Sequence, residues 1–163
     1  LCDYRKVDKK FEKIVSVGAF EHFGKKFYKT FFKKIENIMT DDGICLLHTI
    51  GSVDAPGPAQ SWIQKRIFPG GIIPSLSEIV EPIEKTSLII ADCETLINHY
   101  NQTLKVWHDR FLENRRRAKD LYDEQFVRMW EFYLASCSNA FKFRDLVVYQ
   151  LQLVKNFTAI PNS

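Results

Sequence analysis

Apolar and polar positions along this chain follow two different periods. Phe11-Glu12-Lys13-Ile14-Val15-Ser16-Val17 is a β-branched run closed by Gly18, which predicts a short buried strand. From Gly24 to Met39 the period becomes helical: Phe27, Tyr28, Phe31, Phe32, Ile35, Ile38 and Met39 form one stripe. Lys25, Lys26, Lys29, Lys33 and Lys34 fall mostly on the other faces. Asp41-Asp42-Gly43 then reads as a turn into Ile44-Cys45-Leu46-Leu47-His48-Thr49-Ile50, a second buried strand. Strand, amphipathic helix and strand in succession make a β-α-β unit, so parallel strands and a right-handed crossover are expected.

Residues 1–51 are thus expected to form a strand-helix-strand core, and 52–86 a loop with short helices. Ser52 to Pro58 is rich in proline, glycine and serine, Trp62 to Ile67 suits a short helix stopped by Pro69-Gly70-Gly71, and Ser75 to Ile83 suits another. Ser75 stands at the N-cap of the latter, with Glu78 at the capping-box position. Residues 87–163 should hold a strand, helices and a final strand. Ser87 to Cys93 is the strand, and Thr103 to Phe141 predicts two helices meeting near Lys119-Asp120. The second carries Leu121, Phe126, Met129, Trp130, Tyr133, Leu134, Cys137 and Phe141 as its stripe. Leu146 to Val154, where Tyr149, Leu151 and Leu153 alternate with Gln150 and Gln152, reads as a strand with one wetter face ending the ordered part. The architecture is α/β, with helices on a mostly parallel sheet.

Composition narrows the function class. Of 163 residues 45% are hydrophobic and 26% charged, which is globular, and a net charge of +3 is too mild for a dedicated nucleic-acid binder. No apolar run approaches the roughly 20 residues needed to cross a bilayer, and Leu1 opens no signal-peptide pattern. The cysteines Cys2, Cys45, Cys93 and Cys137 lie far apart without metal-ribbon spacing, so reduced thiols in a cytoplasmic protein are expected. Thirteen Phe, six Tyr and three Trp suit either core filling or an apolar substrate tunnel. None of the seven glycines forms a G-x-G pair, so a Gly-rich turn that cradles a cofactor is not found here.

Ligands in open α/β sheets bind beyond the carboxyl ends of strands. Here the first strand runs into Gly18-Ala19-Phe20-Glu21-His22 and the second ends at His48-Thr49-Ile50-Gly51. A carboxylate and an imidazole brought to one sheet edge can share a proton or hold a small ion. The bland alternatives are a helix-cap glutamate and a histidine bonded to a loop carbonyl. A metal-dependent hydrolase using Glu21, His22, His48 and His99 has no supporting ligand spacing, and no metal is expected. His108 and Lys105 sit on a helical face that reads as solvated.

Three strings carry more than their spacing: Val15-Ser16-Val17-Gly18-Ala19-Phe20-Glu21-His22-Phe23-Gly24, Leu46-Leu47-His48-Thr49-Ile50-Gly51 and Ile67-Phe68-Pro69-Gly70-Gly71. With His99-Tyr100, Thr103-Leu104, Trp107 and Arg128-Met129-Trp130-Glu131-Phe132-Tyr133-Leu134, they resemble the cyclopropane-fatty-acyl-phospholipid synthase family. The mycolic acid cyclopropane synthases and methyltransferases are its close relatives, and Gly51 to Pro58 looks more like the phospholipid-acting branch. The resemblance implies the seven-stranded class I (Rossmann-like) methyltransferase sheet, with its carboxy-terminal half, strands four to seven, in this chain. The Gly-rich cofactor half is expected to lie outside it, leaving this chain inactive alone, with an exposed edge at Phe11–Val17 that invites pairing or a homodimer.

What the resemblance further implies is transfer of a methylene group from S-adenosylmethionine to the cis double bond of an unsaturated phospholipid acyl chain. The carbocation formed loses a proton to bound bicarbonate and closes to a cyclopropane ring. The positions matching the bicarbonate site are Glu21, His48 and Tyr100, with Ile50 contributing its backbone. Glu21, His48 and Tyr100 are the expected catalytic residues, and Asp3, Tyr4 and His22 the expected cofactor contacts, with helix-start packing as the plainer role of His22. A methyl-branched product, or a lipid- or partner-binding remnant, would fit the same residues. Lys25/Lys26/Lys29/Lys33/Lys34 and Arg115-Arg116-Arg117-Lys119 could meet anionic headgroups at the inner face of the membrane, or be solvated faces.

Overall fold

The computed structural model of the protein describes residues 1–58 and 60–159. Two compact units emerge among the described residues, one of residues 1–95 with 148–159, the other of residues 96–147. The first holds strand β1 (Phe11–Val17), helix α1 (Tyr28–Ile38), strand β2 (Met39–Ser52), helices α2 (Ser61–Arg66) and α3 (Leu76–Ile83), and most of strands β3 (Ile89–Leu96) and β4 (Leu146–Val154). The second holds helices α4 (His99–Glu113), α5 (Arg115–Leu121) and α6 (Glu124–Phe143).

The expected β-α-β unit is present, with β1 and β2 parallel and Val17 opposite His48. The sheet order is β1-β2-β4-β3. Tyr149 reaches Ser52, Gln150 reaches His48 and Lys155 reaches Met39, so β4 descends as β2 ascends. The sheet is therefore mixed rather than mostly parallel, because the last strand enters between β2 and β3. A strand's partners are set by long-range packing, which periodicity does not report.

The apolar stripe of α1 is buried as predicted: Tyr28, Phe31, Phe32, Ile35 and Ile38 face inward, and Phe20 stacks on Tyr28 with ring centroids 4.0 Å apart. Cys45, Leu47 and Thr49 fill the inner face of β2, and Leu151, Leu153 and Val154 come from β4. Gln150 and Gln152 are the wetter positions of β4, as their alternation predicts. The capping box of α3 forms as its spacing predicts, with Ser75 and Glu78 each bonded to the other's backbone N–H. In the helical unit, Leu104, Val127, Leu134 and Phe141 are buried, and the Ser138 hydroxyl donates to Asn101 Oδ1 at 2.5 Å, joining α4 to α6.

Several boundaries differ from expectation. β1 is not buried: Val15 and Val17 remain 65% and 62% exposed, because only β2 pairs with it. Asp41-Asp42-Gly43 is no turn but a bulged stretch of β2, where the pairing jumps from Phe11 opposite Met39 to Lys13 opposite Ile44. Met39 therefore belongs to the strand, and α1 starts only at Tyr28, after a 3-10 turn at Lys25–Phe27. β3 begins two residues later than predicted and runs on to Leu96. The helical stretch holds three helices: it starts at His99, breaks at Asn114 and breaks again at Tyr122-Asp123, where the Asp123 carboxylate caps α6. Order continues past Val154 into a 3-10 turn at Phe157–Ala159, and the final residues 160–163 of the expected third segment lie outside the described residues.

Gly51 shows how tightly the end of β2 is packed. A Cβ there would sit 2.3 Å from the Tyr149 ring and 3.2 Å from the Pro74 carbonyl. The ring cannot easily retreat, because its hydroxyl donates to the Ser52 carbonyl at 3.0 Å. Replacement G51A is expected to destabilise the chain by about 1–3 kcal/mol through overpacking; urea unfolding checks this, and an unchanged midpoint would show that the ring moves freely.

Candidate functional site

The site grows from the carboxyl ends of β1 and β2. Gly18, at φ 62°, donates its N–H to the His48 carbonyl at 3.1 Å as β1 ends. The left-handed conformation favours glycine and turns the chain into the 3-10 helix Phe20–His22. Phe20 anchors that turn in the aromatic core, fully buried among Phe23, Tyr28, Phe31 and Phe32. The next residue, Glu21, is thereby thrown back onto β2.

The Glu21 side chain is buried, and its Oε1 accepts the Ile50 backbone N–H at 2.6 Å. Its backbone carbonyl accepts the Ile72 N–H at 2.8 Å, which ties the segment after Pro69-Gly70-Gly71 to the same turn. Oε2 is also buried but has no hydrogen-bond partner. A buried carboxylate oxygen without a donor is costly, and Oε2 is placed to accept a further hydrogen bond. Among the described residues the other such atom is the Tyr28 hydroxyl.

His48 lies two residues before Ile50 on the same, half-open face of β2. Its Nδ1 is 3.2 Å from Gln150 Oε1, and Gln150 Nε2 donates to Glu94 Oε2 at 2.8 Å. A carboxylate only accepts, so Glu94 orients the Gln150 amide with its oxygen toward His48. The His48 hydrogen therefore sits on Nδ1. Nε2 is then an acceptor in the neutral ring and a donor once the ring is doubly protonated. Gln150 and Glu94 were not among the residues singled out from sequence. The only signal was Gln150 on the wetter face of β4.

The other expected residues are placed as follows. Tyr100 is in the first turn of α4, in the helical unit, tilted against Phe141 at 5.0 Å and edge-on to Trp107 at 6.1 Å. Asp3 caps a 3-10 turn at Tyr4–Lys6, accepts the Arg5 N–H, and binds the Arg5 guanidinium, which holds its carboxyl at about 2. Tyr4 packs on Phe23 at 5.3 Å and Phe31 at 5.8 Å. His22 is exposed, edge-on to Phe68 at 5.6 Å. The cysteines are all free; burial raises the Cys45 thiol to about 12 and the Cys137 thiol to about 11, so neither is a ready nucleophile. Among the described residues no His, Cys, Asp and Glu are grouped to hold a metal ion, and no helix is long and apolar enough to cross a membrane.

This fold is part of the α/β fold of S-adenosylmethionine-dependent methyltransferases. It superimposes on the mycobacterial cyclopropane synthase MmaA2 with a TM-score of 0.83 at 30% identity, covering 92% of this chain and 57% of that one. It matches the mycolic acid cyclopropane synthase CmaA1, solved with SAH and CTAB, equally well at 29% identity and the same coverage. The chain belongs to the family described as mycolic acid cyclopropane synthetase, whose pattern matches residues 1–151. It is 40% identical over 151 residues to the cyclopropane-fatty-acyl-phospholipid synthase of Escherichia coli K12, covering 93% of this chain and 39% of that protein. It is 37% identical over 161 residues to the tuberculostearic acid methyltransferase UfaA1 of Mycobacterium tuberculosis, covering 95% and 38%. The chain thus spans about two fifths of the length of these curated relatives.

The Glu94–Gln150–His48 chain has a direct spectroscopic consequence. Nitrogen-15 NMR of the neutral protein is expected to show His48 in the Nδ1–H form, and Q150L is expected to shift it toward the Nε2–H form. An identical tautomer in both proteins would show that Gln150 does not orient the ring.

Proposed function

We propose that this chain is part of an enzyme that delivers a one-carbon unit from S-adenosylmethionine to the cis double bond of an unsaturated phospholipid acyl chain, closing a cyclopropane ring. The observation that carries the reading is the Glu21 carboxylate, with one oxygen pinned to Ile50 and the other buried and unmatched. The 40% identity to a phospholipid-acting synthase supports the substrate class.

When bound, the cofactor supplies an electrophilic methyl group, and a bicarbonate ion in the Glu21 site would supply the base. The residues fit such an ion. Glu21 Oε2 can accept its O–H, and a doubly protonated His48 can donate from Nε2. Tyr100 enters by resemblance, as a second donor from the start of α4. A carbocation on an acyl chain is destroyed by loose water, so a carboxylate buried away from solvent suits the chemistry. Glu21 orients the ion and offsets positive charge, while Glu94 and Gln150 keep the His48 ring in one pose.

Toward the cofactor, Tyr4 offers a half-buried aromatic wall suited to an adenine ring. Asp3 acts there by holding the turn that presents Tyr4, since its carboxylate is filled by Arg5, and His22 stands open beside Phe68. The lipid substrate places the enzyme at the inner surface of the membrane as a peripheral protein. A methyl-branched product is a second reading, favoured by the 37% identity to a fatty-acid methyltransferase; chromatography of the released acyl esters separates ring from branch.

Three outcomes test these proposals. In the whole enzyme that carries this chain, E21Q is expected to lower transfer of labelled methyl carbon into unsaturated phospholipid on the order of a hundredfold or more, with Y100F in the same direction. Added bicarbonate should stimulate the parent in carbon-dioxide-depleted buffer and leave E21Q unmoved; full activity in either variant removes that residue from the site. The exposed edge of β1 is proposed to pair with the same edge of a second copy as a homodimer, and sedimentation should show concentration-dependent association. A monomer at every concentration would rule this out.

A further inference from the structure

The structure treats the two basic clusters differently. On α5, Arg115 is spent on Glu124 at 2.6 Å and Glu131 at 2.8 Å, and Lys119 reaches Glu124 at 3.2 Å. Arg115 and Lys119 are thus paired within the helical unit, while Arg116 and Arg117 have no carboxylate within ion-pairing distance among the described residues. Along residues 25–38 a larger share of the charge is left unpaired. Five lysines face the single Glu36, a local charge of +4 in a chain whose net charge is +3, so all other residues together are slightly acidic. Glu36 itself is occupied by the Ser87 N–H and hydroxyl.

The acidic residues nearest this face lie on α3, which packs against α1. Lys25 pairs with Glu78 and Lys85 with Glu81, while Glu84 ends the helix. Among the described residues, Lys26, Lys29, Lys33 and Lys34 have no carboxylate within ion-pairing distance. The face cannot turn inward, because Phe31, Phe32 and Ile35 fix the opposite side of α1 in the core. Phe27 lies 42% exposed among these lysines, with Lys26 Nζ 5.0 Å above its ring. At the edge toward α3 a shallow cavity is lined by Lys25, Lys29, Lys85, Tyr28, Glu78 and Glu81. Its glutamates are already matched, so Lys29 is the unspent charge there and the Tyr28 hydroxyl the unspent polar group.

We propose that the face of residues 25–34 docks on an anionic phospholipid surface, with Lys26, Lys29 and Lys33 against headgroup phosphates and Phe27 in the interfacial layer. The inference rests on the lipid-substrate reading. The docking face begins four residues after Glu21, in the same unit as Glu21 and His48, so it holds that end of the sheet against the substrate's own surface.

Co-sedimentation with phosphatidylcholine vesicles carrying increasing phosphatidylglycerol tests it. Binding should rise with phosphatidylglycerol and fall with salt. K26E/K29E/K33E should weaken it on the order of a hundredfold. K26Q/K29Q/K33Q should fall between that variant and the parent, and R116E/R117E should bind as the parent does. These positions are exposed, and circular dichroism checks that each variant folds. Binding indifferent to phosphatidylglycerol, binding retained by K26E/K29E/K33E, or equal loss in R116E/R117E would overturn the proposal. So would retention on polyglutamate but not on vesicles, which assigns the face to an acidic protein. E21Q should bind vesicles like the parent, so retained transfer by E21Q with intact docking faults only the catalytic reading.

Discussion

The candidate site depends on one buried carboxylate. Glu21 is carried inward by a 3-10 turn whose neighbour Phe20 is locked into an aromatic cluster, and the Ile50 N–H meets one of its oxygens at 2.6 Å. That bond joins the chain leaving β1 to the open face of β2, where His48 also stands. A charged acceptor on a backbone donor makes a strong hydrogen bond, so the pairing fixes the carboxylate as well as neutralising part of its burial cost. The second oxygen remains unmatched, which suits the small ion that the family resemblance implies for this site.

The rest of the first unit serves that arrangement. Gly51 admits the Tyr149 ring against β2, which seats β4 so that Gln150 reaches His48. Ser52 joins the strand to the Pro74–Ser75 segment, and the Ile72 N–H closes the loop onto Glu21. A mixed sheet allows this, because β4 runs antiparallel to β2 and brings Tyr149 and Gln150 beside the last residues of β2. The glycines and the turn sequence therefore act as spacing elements for a site whose working atoms belong to other residues.

Charge is divided between the units by pairing rather than by composition. On α5, Arg115 and Lys119 are paired with Glu124 and Glu131 brought back along α6, whereas Lys29, Lys33 and Lys34 of α1 have no ion pair among the described residues. Two runs that look alike in sequence thus differ in what they offer a partner. Ion pairs of this kind contribute little to stability at an exposed surface, but they decide which charges remain available.

Local pattern determined much of this protein: the stripe of α1, the capping box of α3, the extents of β1 and β4, and the strings carrying Glu21, His48, Ile50 and Tyr100. The elements were legible because they rest on side-chain periodicity and on residues only a few positions apart, whereas Glu21, His48, Ile50 and Tyr100 were singled out by the family resemblance of their strings. The tertiary structure alone decided the insertion of β4 between β2 and β3 and the bulge at Asp41-Asp42-Gly43. It also decided that Glu94 and Gln150 stand behind His48, across 102 residues of chain between Gln150 and the histidine. The reason is physical: strand partners and hydrogen-bond relays depend on which distant segments pack together, and no local period encodes that choice.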